Sequence, residues 1–353
     1  MSDAVYWLWI QSRDNITPAR VNAIMGHFGE PSEIYSAQRE EYMSIPGLSR
    51  DFVDSLCDKK LDRCKRIIDD CEAKKIKIIT REDTAYPTRL KHIYYPPLAL
   101  YVLGELPDMD NEAAIAFVGT RKCTEYGIAA TDRIAGEIAR GGGLIVSGMA
   151  LGIDSASHEA ALRAGAKTVA VFGCGVDLCY PSEKKKLRLR IIENGAIISE
   201  YPPETSPDKT HFPARNRIIS GISLGVVIAE APEHRSGALI TAACAAEQGR
   251  DVYAIPGNIT SLQSVGTNQL IRDGAKPALC GADILNEYEA AFPQKINMQR
   301  AEEREIPTIQ TLSDEKLASF KPNEQAILTA IMAGHKQIDE IIENTKQEAP
   351  CVL

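Results

Sequence analysis

From residue 76 onward, short apolar segments alternate with helical stretches. The apolar segments are rich in Val, Ile and Ala, and several end directly in Gly or Ser. Continuous apolar strands separated by helices indicate a parallel sheet with helices on both faces, a Rossmann-like α/β fold. The predicted strands are 76–80, 98–103, 114–118, 144–147, 168–172, 196–199, 226–229 and 252–255. Ligands of such sheets bind where the strands end, so the residues after each strand are the candidate site.

Residues 1–78 have a helical pattern instead and predict a small all-α domain. Thr17 is expected to cap a helix that begins at Pro18, and a further helix is expected over about 59–74. The turn at 45–49 is similar to those of SAM and helix-hairpin-helix domains, whose backbone amides can approach a DNA phosphate. A plain connection between two helices is the favoured interpretation, because little basic charge lies nearby.

The C-terminal part of the chain contains two segments with different patterns of apolar and polar residues. Residues 296–322 are polar without an apolar face and predict a linker. Residues 323–353 regain helical spacing and predict a partial winged-helix-like segment of two helices without a wing. The expected organisation is therefore a helical domain at 1–78, a Rossmann-like domain at 79–295, the linker and this segment.

Composition limits the classes of protein that fit. The net charge of −8 excludes a uniformly positive surface, so a binder of polyanions must concentrate its basic residues in a patch. The nine cysteines lack metal-ligand spacing and fit free thiols in a reducing cytoplasm. We expect a cytoplasmic protein without membrane contact, because the sequence shows no long apolar run and no signal peptide.

The first candidate site follows the strand at 114–118. Gly119, Thr120 and Arg121 form a tight turn, and a helix is expected to open near Thr124. Amides at a helix start bind anions, and an arginine fork suits a phosphate. The alternative is a structural turn with a surface arginine.

The second candidate site follows the strand at 144–147. Ser147 and Gly148 begin a turn at which a ligand backbone could approach closely. Asp154 is expected to be a helix N-cap rather than a catalytic acid. His158 is expected to be a structural histidine, because no nucleophile accompanies it.

A third candidate is basic. Lys184, Lys185 and Lys186 are expected in the first turn of a helix that Ser182 caps. Lysines there oppose the helix dipole, and a bound phosphate would relieve this repulsion. A solvated helix face is the alternative.

Two arginines flank an asparagine in the fourth candidate. Arg215 and Arg217, on either side of Asn216, differ by about 200° around a helix, so both cannot face one phosphate. One is expected to hold a phosphate while the other braces a loop or forms an ion pair. Phe212 would either stack on a base or pack in the core.

The fifth candidate follows the strand at 226–229. Ser236 is expected to cap a helix that begins near Gly237. Glu230 would be either a catalytic carboxylate or, as we favour, a partner that orients Arg215 or Arg217.

In this order, these segments resemble the DNA-processing protein A family. The matching segments are 118–121, 147–154 with His158, Tyr180-Pro181, Ser199-Glu200, 212–217, Glu230-Ala231, 236–241, Pro256-Gly257, 266–268 and Gly274-Ala275. The resemblance implies a protein without catalysis, cofactor or metal that binds single-stranded DNA in natural transformation and protects it. It also implies help in loading the RecA recombinase and a homodimer formed through the Rossmann-like domain.

Carried over by position, the phosphate contacts would be Arg121, the Ser147-Gly148 turn, one or more of Lys184 to Lys186, and the segment Arg215 to Arg217. Two departures matter. Lysines stand where the family usually has an asparagine after the Tyr-Pro, and Leu151 stands where it often has an arginine. The apolar helix at 238–246 and the segment 262–272 are candidates for the dimer surface.

Two enzyme classes are alternatives. A nucleotide hydrolase of the related phosphoribohydrolase family needs a Pro-Gly-Gly-x-Gly-Thr-x-x-Glu motif, but Pro256-Gly257 is followed here by Asn258-Ile259. A dinucleotide oxidoreductase needs three glycines at the first turn and an acid about 20 positions later, and neither is found.

Overall fold

A computed structural model describes residues 4–232, 236–302, 317, 320–332 and 338–347 of the 353-residue chain. Contacts within the chain group it into two compact units, Met1–Glu303 and Arg304–Leu353. The boundary expected after residue 78 lies inside the first unit, so a separate domain at 1–78 stays a prediction. The same holds for the linker at 296–322, most of which lies outside the described residues.

The chain opens with short helices, as its pattern predicts. They are α1 (Ala4–Gln11), α2 (Pro18–Phe28), α3 (Pro31–Ser36), α4 (Arg39–Met43), α5 (Arg50–Cys57) and α6 (Asp62–Ala73). The predicted cap of α2 is confirmed, because the Thr17 hydroxyl accepts a hydrogen bond from the Arg20 amide at 3.3 Å. Gly47, in the turn before α5, has a φ of 86°, a conformation that glycine adopts without strain.

A nine-stranded sheet follows, in the order β1-β2-β6-β5-β4-β3-β7-β8-β9. Its strands are β1 (Lys77–Thr80), β2 (Ala99–Gly104), β3 (Ala114–Val118), β4 (Leu144–Ser147), β5 (Thr168–Phe172), β6 (Gly195–Ser199), β7 (Gly225–Ile228), β8 (Asp251–Ala254) and β9 (Lys276–Pro277). Every predicted strand is present. The two-residue β9 was not predicted, because it is exposed and too short to show a pattern.

One edge of the sheet corrects the expectation of an all-parallel arrangement. The seven strands that lie between β6 and β9 in the sheet order, both included, run parallel to their neighbours. Strand β2, by contrast, pairs antiparallel with both β1 and β6. A parallel crossover normally includes a full helix, whereas the helix between β1 and β2 has only four residues.

Helices cover both faces of the sheet, which confirms the Rossmann-like α/β class. They are α7 (Thr88–Lys91), α8 (Glu125–Arg140), α9 (Ile153–Arg163), α10 (Lys185–Glu193), α11 (His211–Gly221), α12 (Gly237–Glu247), α13 (Val265–Arg272), α14 (Gly281–Leu285) and α15 (Met298–Glu302). Strand β3 shows the alternation: Ile115 and Phe117 pack with α8 and α9, whereas Ala116 and Val118 pack with α11 and α12. Because both faces are buried, the strands contain few polar residues.

The N-terminal helices pack on the sheet beside α10. Tyr101 of β2 and Ile197 of β6 share one apolar core with Trp7, Trp9 and other residues of these helices. The side chain of Gln11 also donates a 2.7 Å hydrogen bond to the carbonyl of Glu200, just after β6. These contacts fix the N-terminal helices at the end of the sheet where β6 finishes.

Lys74 forms a second link between these helices and the sheet. Its ammonium lies 2.9 Å from Asp70, 2.8 Å from Asp177 and 3.0 Å from Glu204. The three carboxylates form the one cluster with metal-ligand geometry among the described residues. Lys74 supplies its positive charge, and these hydrogen bonds raise the pKa of the ammonium.

The second unit contains two described helices, α16 (Pro322–Met332) and α17 (Ile338–Thr345). They match the two helices expected there, while a winged-helix-like arrangement stays a prediction. Among the described residues of both units, no helix is long and apolar enough to cross a membrane.

Candidate nucleic-acid interface

A cleft of about 430 Å³ opens where β3 and β7 end. Its walls come from the turn after β3, the turn between β4 and α9, the helix α11 and the start of α12. We call it the sheet-edge cleft. It contains seven of the predicted site residues: Gly119, Thr120, Arg121, Arg215, Asn216, Ser236 and Gly237. The structure thus brings these seven predicted residues together at one edge of the sheet.

The turn after β3 is shaped by close packing. A Cβ atom on Gly119 would lie 2.5 Å from the side chain of Ile153, so the residue must be glycine. Helix α8 opens next to Thr124 as predicted, and Thr124 caps it, because its hydroxyl accepts a 3.1 Å hydrogen bond from the Gly127 amide. The first turn of this helix is held in place by that cap.

Glu230 stabilises the same turn, which corrects the expectation that it orients Arg215 or Arg217. Its carboxylate accepts hydrogen bonds from the amide of Thr124 at 2.9 Å and from the hydroxyl of Thr124 at 2.5 Å. Gly127 leaves room for it, since a Cβ there would lie 2.4 Å from the carboxylate. Glu230 therefore connects β7 to the start of α8.

Arg215 lies in the cleft wall but is 5% exposed. Its guanidinium donates to the carbonyl of Gly148 at 3.0 Å and to that of Val171, and its Nε donates to Asn216 Oδ1 at 3.2 Å. A Cβ on Gly148 would lie 2.2 Å from the guanidinium, so a larger residue there would displace Arg215. Arg215 thus braces the turn after β4 and exposes little charge.

Asp154 is the buried counter-charge of Arg215 and not the N-cap of α9. The capping position belongs to Gly152, which has a φ of 82°, and the Asp154 carboxylate accepts from the Ala150 amide at 3.4 Å. Burial raises the pKa of Asp154, while the charge of Arg215 opposes that rise. The pair places two compensating charges at the cleft wall.

Arg217 points to the opposite side of α11. It forms a 2.6 Å ion pair with Glu200 and donates to the carbonyls of Tyr95 and Ala214, both at 2.8 Å. One part of the expected division is confirmed, because Arg217 forms an internal ion pair. Glu200, not Glu230, is its partner. That the other arginine holds a phosphate stays a prediction.

Arg121 is an exposed cation of the sheet-edge cleft. It forms no ion pair or hydrogen bond with the described residues, and its guanidinium lies 5.5 Å from the ring centroid of Phe212. Phe212 is half-buried and stacks on Tyr180 at a centroid distance of 5.3 Å and an interplanar angle of 28°. We call these three residues the Arg121 column. Phe212 therefore belongs to a surface stack and not to the core.

The predicted lysines lie beyond the sheet-edge cleft. Lys184 forms a 3.2 Å ion pair with Glu159 of α9, while Lys185 and Lys186 are exposed at the start of α10. Ser182 does not cap this helix, because a 3-10 turn over Ser182–Lys184 precedes it. In the chain, the lysines begin four residues after Tyr180 of the Arg121 column.

Ser147 and His158 are internal. The Ser147 hydroxyl is fully buried and donates to the carbonyl of Phe117 at 2.5 Å, which joins β4 to β3. His158 Nδ1 lies 2.7 Å from the hydroxyl of Thr168, which itself donates to the carbonyl of Ile145. Nδ1 is therefore the protonated ring nitrogen. Burial lowers the His158 pKa to about 3, so the ring is neutral and structural, as expected.

Sequence reasoning missed two contributors to the site. Lys122 lines the sheet-edge cleft beside Arg121, and Tyr180 completes the Arg121 column. Lys122 could have been identified as the basic neighbour of Arg121. The stack of Tyr180 on Phe212 joins residues that are distant in sequence, so no local pattern predicts it.

Comparison with known proteins agrees with this architecture. Residues 77–289, which include the whole sheet, match the family model for DNA recombination-mediator protein A. The chain belongs to this family. It is similar to the DNA processing protein DprA of Streptococcus pneumoniae, at 45% identity over 59% of this chain and 72% of that protein. It is also similar to the protein Smf of Synechocystis, at 30% identity over 98% of this chain and 92% of that protein.

Two solved structures of the family share the fold. The DprA structure from Streptococcus pneumoniae superposes with a TM-score of 0.71 and 35% identity, covering 80% of this chain and 97% of that one. The structure of DNA processing protein A from Helicobacter pylori, described for its mode of binding single-stranded DNA, gives a TM-score of 0.54 and 31% identity. It covers 62% of this chain and 97% of that one.

Proposed function

We propose that this protein binds single-stranded DNA at the sheet-edge cleft during natural transformation and protects it. The Arg121 column carries the proposal, because an exposed cation lies beside two stacked aromatic rings where the strands end. Aromatic faces stack on bases of any sequence, and a guanidinium binds the phosphate between them. The Helicobacter pylori relative, whose structure concerns single-stranded DNA, supports this ligand.

The proposed contact surface includes residues of three kinds. Arg121 and the exposed Lys185 supply charge, and Phe212 supplies a stacking face. The start of α12, where Ser236 accepts from the Leu239 amide at 3.4 Å, supplies backbone amides. Gly119 and Thr120 line the same cleft, although the Thr120 amide already donates to the carbonyl of Glu230 at 2.9 Å. The less exposed of the predicted residues would act indirectly, by holding these turns in position. They are Ser147, Gly148, Arg215, Asn216 and Arg217.

A gel-shift series tests the proposal. Oligonucleotides of increasing length are titrated as single strands and as duplexes at several salt concentrations. Affinity should fall with salt, with a slope of about −0.7 per phosphate neutralised, and single strands should bind more tightly than duplexes. Tighter binding to the duplex would contradict the proposal.

We further propose that the protein helps to load RecA on the bound strand and works as a homodimer. Membership of a recombination-mediator family supports the first part. Exposed apolar side chains in the predicted dimer segments, Ile240 of α12 and Leu262 and Val265 near α13, support the second. Faster RecA assembly on single strands in the presence of the protein, and a solution mass of two chains, are the expected results.

We also propose that the protein acts by binding, without catalysis. Glu230, the strand-end carboxylate that a hydrolase could use, is buried outside the lining of the sheet-edge cleft, and both its oxygens accept hydrogen bonds from Thr124. Release of ribose phosphate from AMP that disappears in Glu230→Gln would overturn this part of the proposal.

A further inference from the structure

A second cleft, of about 390 Å³, lies on the other side of α11. The N-terminal helices α1 and α6 form one wall, and the segment after β6 together with α11 forms the other. The volume falls within the range of small-molecule sites, and the lining is mostly apolar with a few polar groups, as such sites usually are. We call it the junction cleft.

Tyrosine rings dominate the junction cleft. Tyr95, Tyr101 and Tyr201 all line it. Tyr201 is held by a stack on His211, with centroids 3.9 Å apart and an interplanar angle of 19°. The guanidinium of Arg217 lies 4.7 Å from the centroid of Tyr95. Walls built from aromatic rings favour a flat ring as ligand, because such rings stack or pack edge to face.

Hydrogen-bond acceptors supply the polarity of the junction cleft. Gln11 uses its Nε2 to donate to the carbonyl of Glu200, and its Oε1 is buried with no hydrogen-bond partner in the described part of the chain. Glu200 lies beside it with one carboxylate oxygen engaged by Arg217 at 2.6 Å. A buried acceptor without a partner costs free energy, so a ligand that donates an N–H here would gain affinity.

Charge determines how such a ligand would be oriented. Inside the junction cleft, Arg217 is already neutralised by Glu200. At the rim, Arg63 is exposed and forms no ion pair or hydrogen bond with the described residues. An anionic group would therefore stay at the rim beside Arg63, while an uncharged flat ring with amino hydrogens would enter between the tyrosines.

We propose that the junction cleft binds a nucleobase with an exocyclic amino group, and that Arg63 contacts the phosphate of the same nucleotide. Adenine, cytosine and guanine carry such a group with two N–H hydrogens, whereas the one free N–H of thymine, at N3, lies between two carbonyl oxygens that the acceptors would repel. Helix α11 separates the two clefts, with Asn216 lining the sheet-edge cleft and Ala214 lining the junction cleft. A strand that crosses the start of this helix would reach both. Binding of a base from the DNA strand at this cleft rests on the proposed function. A free nucleotide could supply the same base instead.

Binding of equal-length dA, dC and dT oligonucleotides, measured by fluorescence anisotropy, tests the strand as the source. The full chain should bind dA and dC about fivefold more tightly than dT, the factor expected for one net hydrogen bond. Gln11→Leu should remove this preference. The matched control Gln294→Leu changes an exposed glutamine of another segment and should keep it.

Titration with dAMP, followed by saturation-transfer NMR, tests the free nucleotide. Binding that Gln11→Leu abolishes would support the junction cleft with that source. Arg63→Ala replaces an exposed side chain, so the fold should persist, and it should weaken dAMP binding about fivefold without changing the base preference. It keeps the proposal testable even if Gln11→Leu fails to fold.

Two failures are distinguishable. If all three oligonucleotides bind equally and dAMP shows no saturation transfer, the junction cleft is not a base site, while the proposed function stands. If no single strand binds at all, the proposed function fails. Binding of dAMP then shows on its own whether the junction cleft binds a nucleobase.

Discussion

The guanidinium of Arg121 lies 5.5 Å from the ring centroid of Phe212. Arg121 belongs to the turn after β3 and Phe212 to the first turn of α11, so the contact joins two separate segments at the sheet edge. Because Arg121 has no ionic partner among the described residues, its charge remains available to a ligand. The aromatic ring restricts where the guanidinium can lie, which lowers the entropy lost when it binds a phosphate.

Replacement of Arg121 by alanine should weaken single-strand binding roughly fivefold, equal to about 1 kcal/mol. The slope of affinity against salt should fall by about 0.7, because one phosphate contact is lost. Gel shifts at several salt concentrations measure both. The matched control is Arg300→Ala, an exposed arginine of α15. Equal slopes for wild type and Arg121→Ala would remove this residue from the interface.

Phe212→Leu should weaken binding by a different route. Loss of an aromatic face costs about 1–3 kcal/mol per stacked base, and leucine keeps most of the apolar packing. Since no charge changes, the salt slope should stay that of wild type. Anisotropy titrations at two salt concentrations separate this variant from Arg121→Ala. Wild-type affinity would mean that the Phe212 face only supports Tyr180 and Arg121.

The sequence predicted most of the sheet, and seven of its candidate residues line the sheet-edge cleft, because both depend on local patterns. Arg121 could be recognised since it follows a buried strand directly. The burial of Arg215 could not, because its counter-charge Asp154 comes from a different helix and its acceptors from two other strand ends. The role of Glu230 could not be predicted for the same reason, because its partner Thr124 is remote in sequence. Local pattern identifies candidate residues, whereas burial and pairing depend on tertiary contacts.

The lysines before and within α10 should contribute unequally. Lys184 is already paired with Glu159 at 3.2 Å, whereas Lys185 and Lys186 have no ion pair among the described residues. The double variant Lys185→Ala/Lys186→Ala should therefore lower the salt slope by up to about 1.4, and Lys184→Ala by less. Salt-dependent gel shifts measure the slopes. A larger effect from Lys184→Ala would show that the Glu159 pair opens when DNA binds.

The ion pair between Arg217 and Glu200 should contribute to stability. Both side chains are largely buried, at 12% and 16% exposure, so removing one leaves an uncompensated charge. Arg217→Met should lower the free energy of unfolding by about 1–3 kcal/mol. This loss is smaller than that expected for a fully buried ion pair, because some solvent reaches these side chains. Urea denaturation measures it. The double variant Arg217→Met/Glu200→Gln should recover part of the loss; additive losses would exclude direct coupling.

His158 should make folding stability depend on pH in the mildly acidic range. Its pKa is lowered from 6.5 to about 3 in the folded protein because the ring is buried, so the unfolded chain takes up the proton first. Stability is therefore retained above pH 6.5 and falls as the pH drops toward 3, by at most about 1.4 kcal/mol per pH unit. The raised pKa of Asp154 acts in the opposite direction above pH 3.8, and the lowered carboxyl pKa values of Asp177 and Asp251 act at lower pH, so the histidine is measured by the difference between wild type and a His158 variant. Urea denaturation at several pH values should give a shallower slope of unfolding free energy against pH for His158→Gln than for wild type.

His27→Gln is the control, since this residue lies in the last turn of α2 and is exposed. Equal slopes for wild type and His158→Gln would mean that the buried ring accepts a proton in the folded state.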